Sequence, residues 1–187
     1  MCSVVSKMKV VSIVGMAGAG KSVVARVLES GGFKKVRFGD ITDEEVKKRG
    51  LELNEENERA AREQLRKEHG MAAYAILNLP RIDALLKSSN VVVDGLYSWE
   101  EYELLKARYG GKFNVVAVCA SPDTRYKRLA GRKVRPLTAE EAASRDKAEI
   151  ENSNKGGPIA MADFTIINES SLEELQKEAK LVLAILK

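Results

Sequence analysis

The chain has 187 residues, of which 44% are hydrophobic and 31% charged, a composition typical of a folded domain and not of a disordered segment. Its net charge of +4 is too small and too dispersed to indicate nucleic-acid binding, and its two cysteines, Cys2 and Cys119, form no disulfide or metal-ligand pattern. Because no apolar run approaches the roughly 18 residues of a membrane span and no signal-peptide layout is present, we expect one cytoplasmic domain, residues 1–187, without membrane contact.

Five short apolar runs rich in β-branched residues predict β-strands. They are Val10–Val14, Lys35–Phe38, Val91–Val93, Phe113–Ala120 and Phe164–Ile167. Longer charged segments with helical spacing separate the runs. Buried strands that alternate with helices indicate a parallel sheet in a doubly wound α/β fold.

Helix starts are marked by a pattern in which Ser or Thr is followed three residues later by Glu. The pattern occurs at Thr42–Glu45, Ser98–Glu101, Thr138–Glu141 and Ser171–Glu174. In addition, Pro122 fits the first turn of a helix that starts near Ser121. The segment NSNKGGP, Asn152–Pro158, is rich in turn-forming residues and predicts a loop.

The segment GMAGAGKS, Gly15–Ser22, matches the pattern G-x-x-x-x-G-K-S/T at every fixed position. It lies between a predicted strand and an amphipathic segment, which is the context that a phosphate-binding loop requires. Glycines let backbone N–H groups curl round a phosphate, Lys21 can reach the β- and γ-phosphates, and Ser22 can ligate Mg²⁺. The residues expected to hold the nucleotide are Gly15, Gly18, Ala19, Gly20, Lys21, Ser22 and Val23. The alternative is a glycine-rich turn that binds nothing.

The segment VVVDG, Val91–Gly95, ends a predicted strand with Asp94. Because the carboxyl ends of parallel strands share one edge of the sheet, Asp94 should lie beside the phosphate loop and border the substrates. There it can hold Mg²⁺ through water, although an Asp at a strand end also serves as a plain turn or cap residue.

A phosphate loop identifies a nucleotide site but no reaction. A GTPase would carry Asn-Lys-x-Asp, whereas Asn154-Lys155 is followed by Gly157 at the Asp position. An AAA-type motor would need sensor and helical-lid regions for which the chain has no room. The extra segments after the second and fourth strands favour phosphoryl transfer to a second small molecule.

The segment after the fourth strand, Ser121–Arg135, is strongly basic. Arg125, Arg128 and Arg132 recur at helical spacing, so one helix face could stabilise the charge of a transferring phosphoryl group. We favour Arg128 and Arg132 as the catalytic pair. The alternatives are a solvated helix face or contacts with nucleic-acid phosphates.

The glycine loop, FGD at Phe38–Asp40, VVVDG, the basic segment RYKRLAGRKVR and the ending ADFTIINESSLEELQKE together resemble the nucleoside-monophosphate kinase superfamily. The closest likeness is to archaeal adenylate-kinase-related proteins, and the ending also resembles dephospho-coenzyme A kinase. The resemblance implies a three-layer α/β/α P-loop NTPase fold with five parallel strands, an acceptor-binding region at about residues 40–88, a lid at about residues 128–158 and Mg-ATP as donor. It also implies that Asn168 lies near the donor base, where a turn or cap role is the alternative.

Three departures from these families affect the choice of acceptor. The chain reads DGLYS where adenylate kinase has Asp-Gly-Phe-Pro-Arg, and Thr42-Asp43 stand where its acceptor motif has Leu-Arg. It has only FGD where dephospho-coenzyme A kinase has Asp-Ala-Asp. Neither activity is therefore assigned by the motifs.

The predicted helix Asn54–Gly70 places Arg59, Arg62 and Arg66 at helical spacing. That face can receive the phosphate of an acceptor, with Arg62 and Arg66 preferred. The Glu–Arg spacings of the same segment equally describe a salt-bridged surface helix.

Asp40 follows the second predicted strand and should face the phosphate loop across the cleft. If the acceptor is a hydroxyl, as in a coenzyme A precursor, Asp40 is the natural general base. A nucleoside monophosphate offers an ionised oxygen, and Asp40 would then only orient ribose or Mg²⁺. A plain turn residue is the third interpretation.

The leading hypothesis is therefore an ATP-dependent kinase acting on a nucleotide or nucleotide-like acceptor, of which the dephospho-coenzyme A kinase reaction is one variant. The alternative hypotheses are a nucleotide-binding regulatory ATPase without a small acceptor and an RNA-associated P-loop protein. The identity of the acceptor, the choice between ATP and GTP and the oligomeric state stay open.

Overall fold

A computed structural model describes residues 8–134 and 136–187 of the protein, so Cys2 and Arg135, both named above, lie outside the described residues. Within them five strands form one parallel sheet in the order β2-β3-β1-β4-β5. The strands are β1 (Val10–Val14), β2 (Lys34–Arg37), β3 (Val91–Asp94), β4 (Phe113–Cys119) and β5 (Phe164–Ile167). The predicted bounds of the first and last strands are confirmed, and the other three differ from the prediction by one residue at one or both ends.

Helices cover both faces of the sheet, which confirms the three-layer α/β/α P-loop fold. They are α1 (Lys21–Ser30), α2 (Asp40–Lys48), α3 (Glu55–His69), α4 (Ala73–Leu85), α5 (Trp99–Tyr109), α6 (Pro122–Ala130), α7 (Ala139–Glu151), α8 (Gly156–Ala160) and α9 (Leu172–Leu186). None of those described combines the length and the apolar character that crossing a bilayer demands.

The alternation of side chains along β1 builds two hydrophobic cores. Val10 and Val14 pack with α3, α4 and α5 on one face, and Val11 and Ile13 pack with α1 and α9 on the other. All five residues of β1 are buried, because this central strand has helices on both sides. The phosphate loop therefore leaves the sheet from its central, fully buried strand.

Most predicted helix starts are confirmed. Ser98 and Thr138 form complete capping boxes, Ser171 accepts a hydrogen bond from the backbone N–H of Glu174, and Pro122 lies in the first turn after the Ser121 cap. Each such cap contributes about 1 kcal/mol to the stability of its helix.

The predicted helix start at Thr42 was wrong. Helix α2 begins at Asp40, after Gly39, and Thr42 lies inside the helix with its hydroxyl 2.6 Å from that of Tyr74. Because Thr42 is buried against α4, a tertiary hydrogen bond takes the hydroxyl that the local pattern assigned to a cap.

The predicted loop Asn152–Pro158 is only partly a loop. Its second half begins the short helix α8, and Asn154 adopts a left-handed conformation with φ of 49°. Gly157 packs against the ring of Trp99, where an added Cβ would approach the ring to 2.6 Å. The glycine therefore serves the docking of this segment on α5.

Candidate functional site

The phosphate loop connects the end of β1 to the start of α1. Gly15, Gly18 and Gly20 have φ values of 145°, 81° and 106°, which side chains rarely allow. An added Cβ would lie 2.2 Å from the Val118 carbonyl oxygen at Gly15 and 2.5 Å from Asn168 Nδ2 at Gly20. The three glycines are thus required by conformation and by close packing, and the loop opens directly onto the N-terminus of α1.

Lys21 is turned back onto this loop. Its Nζ donates hydrogen bonds to the backbone carbonyls of Gly15 at 2.7 Å and Met16 at 3.0 Å. Burial, followed by the nearby charge of Lys155, lowers the pKa of Lys21 to about 7. A phosphate at this position would favour the charged form of the lysine again.

A cavity of about 220 Å³ lies in front of the loop. It is lined by Gly18, Gly20, Lys21, Ser22, Asp94, Arg128 and Arg132. The structure thus brings together five of the side chains that the sequence nominated separately, from the loop, from β3 and from the segment after β4. Cationic and acidic groups face one another across this space, which is the arrangement that a metal-bound polyphosphate requires.

Asp94 reaches the cavity because it ends β3, which pairs with β1 at the register Ile13–Asp94. Burial raises the pKa of its carboxyl, and the charge of Lys21 opposes that rise. Among the described residues, no group of three or more His, Cys, Asp or Glu side chains is placed to hold a metal ion. Ser22 and Asp94 instead offer two oxygens, which fits a Mg²⁺ ion that takes its other ligands from phosphates and water.

A second cavity of about 250 Å³ adjoins the first. It is lined by Gly20, Val23, Arg128, Asn168, Ser170, Leu172 and Leu175. Gly20 and Arg128 border both cavities, so one elongated ligand can occupy them together. The apolar walls from the start of α9 suit a flat ring, such as a nucleobase.

Asn168 sits at the border of this second cavity and holds the phosphate loop in place. Its Nδ2 donates a hydrogen bond to the carbonyl of Ala19 at 2.8 Å, and its backbone N–H donates to Cys119 at 2.7 Å. Arg128 donates to its backbone oxygen at 3.0 Å and to its Oδ1 at 3.3 Å. Both polar atoms of the Asn168 side chain are therefore hydrogen-bonded within the protein.

The expectation that Arg125, Arg128 and Arg132 share one helix face was wrong. Arg125 is buried and forms two hydrogen bonds with the carboxylate of Asp146, at 2.9 and 2.6 Å. Helix α6 ends at Ala130, so Arg132 follows the helix and reaches the cavity from the next turn. Arg125 links α6 to α7 through its ion pair with Asp146, while Arg128 and Arg132 line the cavity.

The structure places Asp40 differently from the expectation. It is the first residue of α2, half exposed, and its carboxylate accepts a hydrogen bond from Arg37 at 2.8 Å. Arg37 binds Asp43 at the same distance. Because β2 is an edge strand separated from β1 by β3, Asp40 lines neither of the two cavities and faces Arg37 instead of the phosphate loop.

The two arginines nominated on α3 have different surroundings. Arg62 lies 3.7 Å from Glu58, as the salt-bridged interpretation expects. The guanidinium of Arg66 lies 5.9 Å from the centre of the Tyr74 ring, and its buried Nε has no hydrogen-bond partner in the structure. Arg66 is thus the stronger of the two for an anionic ligand.

Sequence reasoning missed a buried cation near the phosphate loop. Lys155 is 1% exposed, and its Nζ lies 2.7 Å from the carboxylate of Glu149 and 5.3 Å from the centre of the Tyr97 ring. In the sequence, Lys155 stands out as a single lysine inside a segment of turn-forming residues. Its burial depends on how α7 and α8 dock, which no local pattern reveals.

Comparison with known proteins supports a P-loop core. Residues 11–152 match a family model described as an AAA domain. The chain is 41% identical to the UPF0200 protein of Thermococcus kodakarensis over 175 residues, covering 91% of this chain and 94% of that protein. It is 39% identical to the UPF0200 protein of Hyperthermus butylicus, covering 94% of this chain and 93% of that protein.

Several similar solved structures are kinases. A gluconokinase from Sinorhizobium meliloti has a TM-score of 0.60 at 17% identity, covering 97% of this chain and 94% of that one. A shikimate kinase from Bacteroides thetaiotaomicron has a TM-score of 0.61 at 14% identity, with coverage of 96% and 98%. A dephospho-CoA kinase from Campylobacter jejuni has a TM-score of 0.58 at 17% identity, with coverage of 97% and 98%.

At these identities the kinases share the fold alone, whereas the sequence relatives match this chain over nearly its whole length. The chain therefore belongs to the UPF0200 family, with an AAA domain built on the P-loop kinase fold.

Proposed function

We propose that the protein is an ATP-dependent phosphotransferase that moves the terminal phosphoryl group of Mg-ATP to a small nucleotide or nucleotide-like acceptor. The observation that carries this proposal is the meeting of Lys21, Asp94 and Arg132 around one cavity in front of the phosphate loop. A loop that only turned the chain would not need an acidic and several basic side chains converging from three segments.

The donor occupies both cavities in this proposal. Its phosphates lie against Gly18, Gly20 and Lys21, and its base lies against Leu172 and Leu175 in the adjoining cavity. Asn168 acts on the donor through the loop, since it fixes Ala19 with its amide. Asn168, which the resemblance places near the donor base, is therefore proposed as a positioning residue.

Ser22 and Asp94 are the residues that would hold Mg²⁺, in company with phosphate oxygens and water. When bound, the ion would neutralise part of the charge of the phosphates. The protein's own cations supply the rest: Lys21 holds the terminal phosphates, and Arg128 and Arg132 face the group in transfer. Fixed positive charge in a partly enclosed site stabilises the transition state of phosphoryl transfer.

The acceptor enters, in this proposal, on the side of the inserted helices α2, α3 and α4, residues 40–88, with a lid at residues 128–158 opposite. Arg66, assisted by Arg62, receives an anionic group of the acceptor, because its Nε is buried without a partner beside an aromatic ring. A hydroxyl acceptor is the variant in which Asp40 would act as base, and it requires Asp40 to leave Arg37.

A second candidate is an ATPase that has no small acceptor and acts on a partner protein. The match of residues 11–152 to an AAA domain favours it. The same phosphate cavity serves both candidates, so only the fate of the phosphoryl group separates them.

The test is ADP formation by purified protein with Mg-ATP and a panel of acceptors that includes AMP, CMP, deoxynucleotides and dephospho-coenzyme A. Lys21→Ala serves as the inactive variant, and Lys180→Ala, on the exposed side of α9, as its matched control. The proposal expects at least one acceptor to stimulate ADP formation in the wild type and in Lys180→Ala. Turnover indifferent to every acceptor supports the ATPase candidate, and failure of the folded protein to bind ATP contradicts both.

A further inference from the structure

Lys155 is an unusual residue for the inside of a protein, since isolated buried lysines are rare and a buried ion loses several kcal/mol of hydration. It follows α7 in a tight turn in which Asn154 has φ of 49° and the Lys155 backbone N–H donates to the carbonyl of Glu149. Its side chain is 2% exposed and ion-paired with Glu149 at 2.7 Å. The chain thus folds back on itself to bury this ammonium group.

The surface beneath Lys155 adjoins the phosphate site. Its Nζ lies over the ring of Tyr97, and that ring folds back over Gly95, where an added Cβ would lie 2.6 Å from the Tyr97 hydroxyl. Gly95 directly follows Asp94, which lines the phosphate cavity. A second contact, between Gly157 and the ring of Trp99, seats the same segment on the start of α5.

Residues 138–160 bring more positive than negative charge to the surroundings of Lys21, because Lys155 and Arg145 outnumber Glu149 there. Lys155 faces Glu149 and Arg145 from α7 and Glu101 from α5. Lys21 faces Lys155, Glu149, Arg145 and Asp94. Glu149 binds both Lys155 at 2.7 Å and Arg145 at 3.1 Å. Its charge also attracts Lys21, whereas the charges of Lys155 and Arg145 oppose that of Lys21.

We propose that Lys155 is a positioning residue of the phosphate site. Through it, phosphate charge at Lys21 favours the packing of residues 138–160 against the core. This inference rests on the proposed function, since it requires the phosphates of a nucleotide at that cavity. The negative charge of a polyphosphate attracts Lys155 and Arg145, so it stabilises the arrangement in which residues 138–160 pack on the core more than one in which they do not. Only such a difference in affinity between two arrangements can couple a ligand to a movement.

The readout is backbone hydrogen exchange of residues 138–160, with and without ligand. In the wild type, ATP and inorganic tripolyphosphate are expected to slow exchange in this segment, and adenosine is not. Equal slowing by adenosine and tripolyphosphate, or none by tripolyphosphate, overturns the proposal without recourse to any variant.

The charge-removing double variant Lys155→Met/Glu149→Gln tests the residues themselves. It is expected to reduce the slowing by ATP at least about fivefold and to weaken ATP binding relative to AMP by a similar factor. The matched control is Lys147→Met/Glu151→Gln, which removes an exposed pair at 3.9 Å on the same helix and should behave as the wild type. Lys155→Arg, which keeps the charge, should restore most of the slowing.

Retention of the full ATP effect in the charge-removing variant would show that the pair only supports the fold, and it would leave the proposed kinase function standing. Failure of the wild type to bind ATP would overturn the proposed function and this inference together. The inference is supported if the slowing of hydrogen exchange in the wild type increases with the number of phosphates. The slowing must also be lost when the buried pair is removed and kept when the exposed pair is removed.

Discussion

At the phosphate loop, the groups that the donor site needs follow one another along a single segment, Gly15–Ser22. The opposite side of the same cavity is assembled differently, from Arg128 in α6 and Arg132 in the turn that follows it. A local pattern specifies the first region, since its glycines and lysine act through the backbone conformation of one turn. The second region depends on which distant residues pack together. One arginine there is therefore buried in an ion pair while another lines the cavity.

The arginines after β4 show this most clearly, because Arg125 is buried and ion-paired with Asp146 whereas Arg128 lines the cavity. Replacing Arg125 with Ala leaves the buried carboxylate of Asp146 without its cation and with only the hydroxyl of Tyr126, which should cost about 3–5 kcal/mol of unfolding free energy. Arg108→Ala, which breaks an exposed pair with Asp83, should cost much less. Urea denaturation measures both, and a cost for Arg125→Ala no larger than that of the control would contradict the structural role.

A buried acid at the start of α5 offers a test by pH. Burial raises the pKa of Glu101 from 4.5 to about 7. Because the folded state then holds a proton that the unfolded state has lost, stability should fall as the pH rises between these two values, by about 3 kcal/mol at most.

Glu101→Gln keeps an acceptor for the backbone N–H groups of Tyr97 and Ser98 and removes the charge. It should flatten the pH dependence of stability between pH 5 and pH 7, measured by denaturation at several pH values. Glu103→Gln, on the exposed side of α5, should leave that dependence unchanged. An unaltered slope in Glu101→Gln would show that this carboxyl does not hold its proton in the folded state.

The phosphate loop can be probed with two glycines that share a left-handed conformation. Gly20 and Gly32 have φ of 106° and 99°, but an added Cβ meets Asn168 and Leu175 at Gly20 and nothing within 4 Å at Gly32. Gly20→Ala should therefore cost about 1–3 kcal/mol more than Gly32→Ala, and it alone should weaken ATP binding. Thermal denaturation and nucleotide titration measure the two effects, and equal behaviour of the variants would contradict the packing account.

The effect expected at Asp40 depends on the acceptor and is the smallest of the set when the acceptor is a phosphate. With a phosphate acceptor, Asp40→Asn should change kcat by less than about threefold, because an ionised oxygen needs no base. With a hydroxyl acceptor, loss of a general base should lower kcat about a hundredfold or more. Asp43→Asn removes the other carboxylate that Arg37 binds and is the matched control in steady-state kinetics.

The contrast between the two regions also explains how far the sequence could be interpreted. The burial of β1 could be predicted from its apolar run, and the glycine loop from the motif that follows it. The capping box at Ser98 could be predicted from the local spacing of Ser98 and Glu101. Thr42 was misassigned because its hydroxyl bonds to Tyr74 in a different helix. Lys155 and Arg125 were misjudged for the same reason, since burial of a cation is decided by partners far along the chain or across a turn.

The central claim is that the terminal phosphoryl group of ATP leaves this cavity on an acceptor. Its most direct test is to incubate the wild type and Lys21→Ala with ATP labelled in the γ-phosphate and to separate the products for each acceptor of the panel. The account predicts that the label appears on an acceptor in the wild type and on none with Lys21→Ala. Label found only as inorganic phosphate, at a rate unaffected by every acceptor, would contradict it.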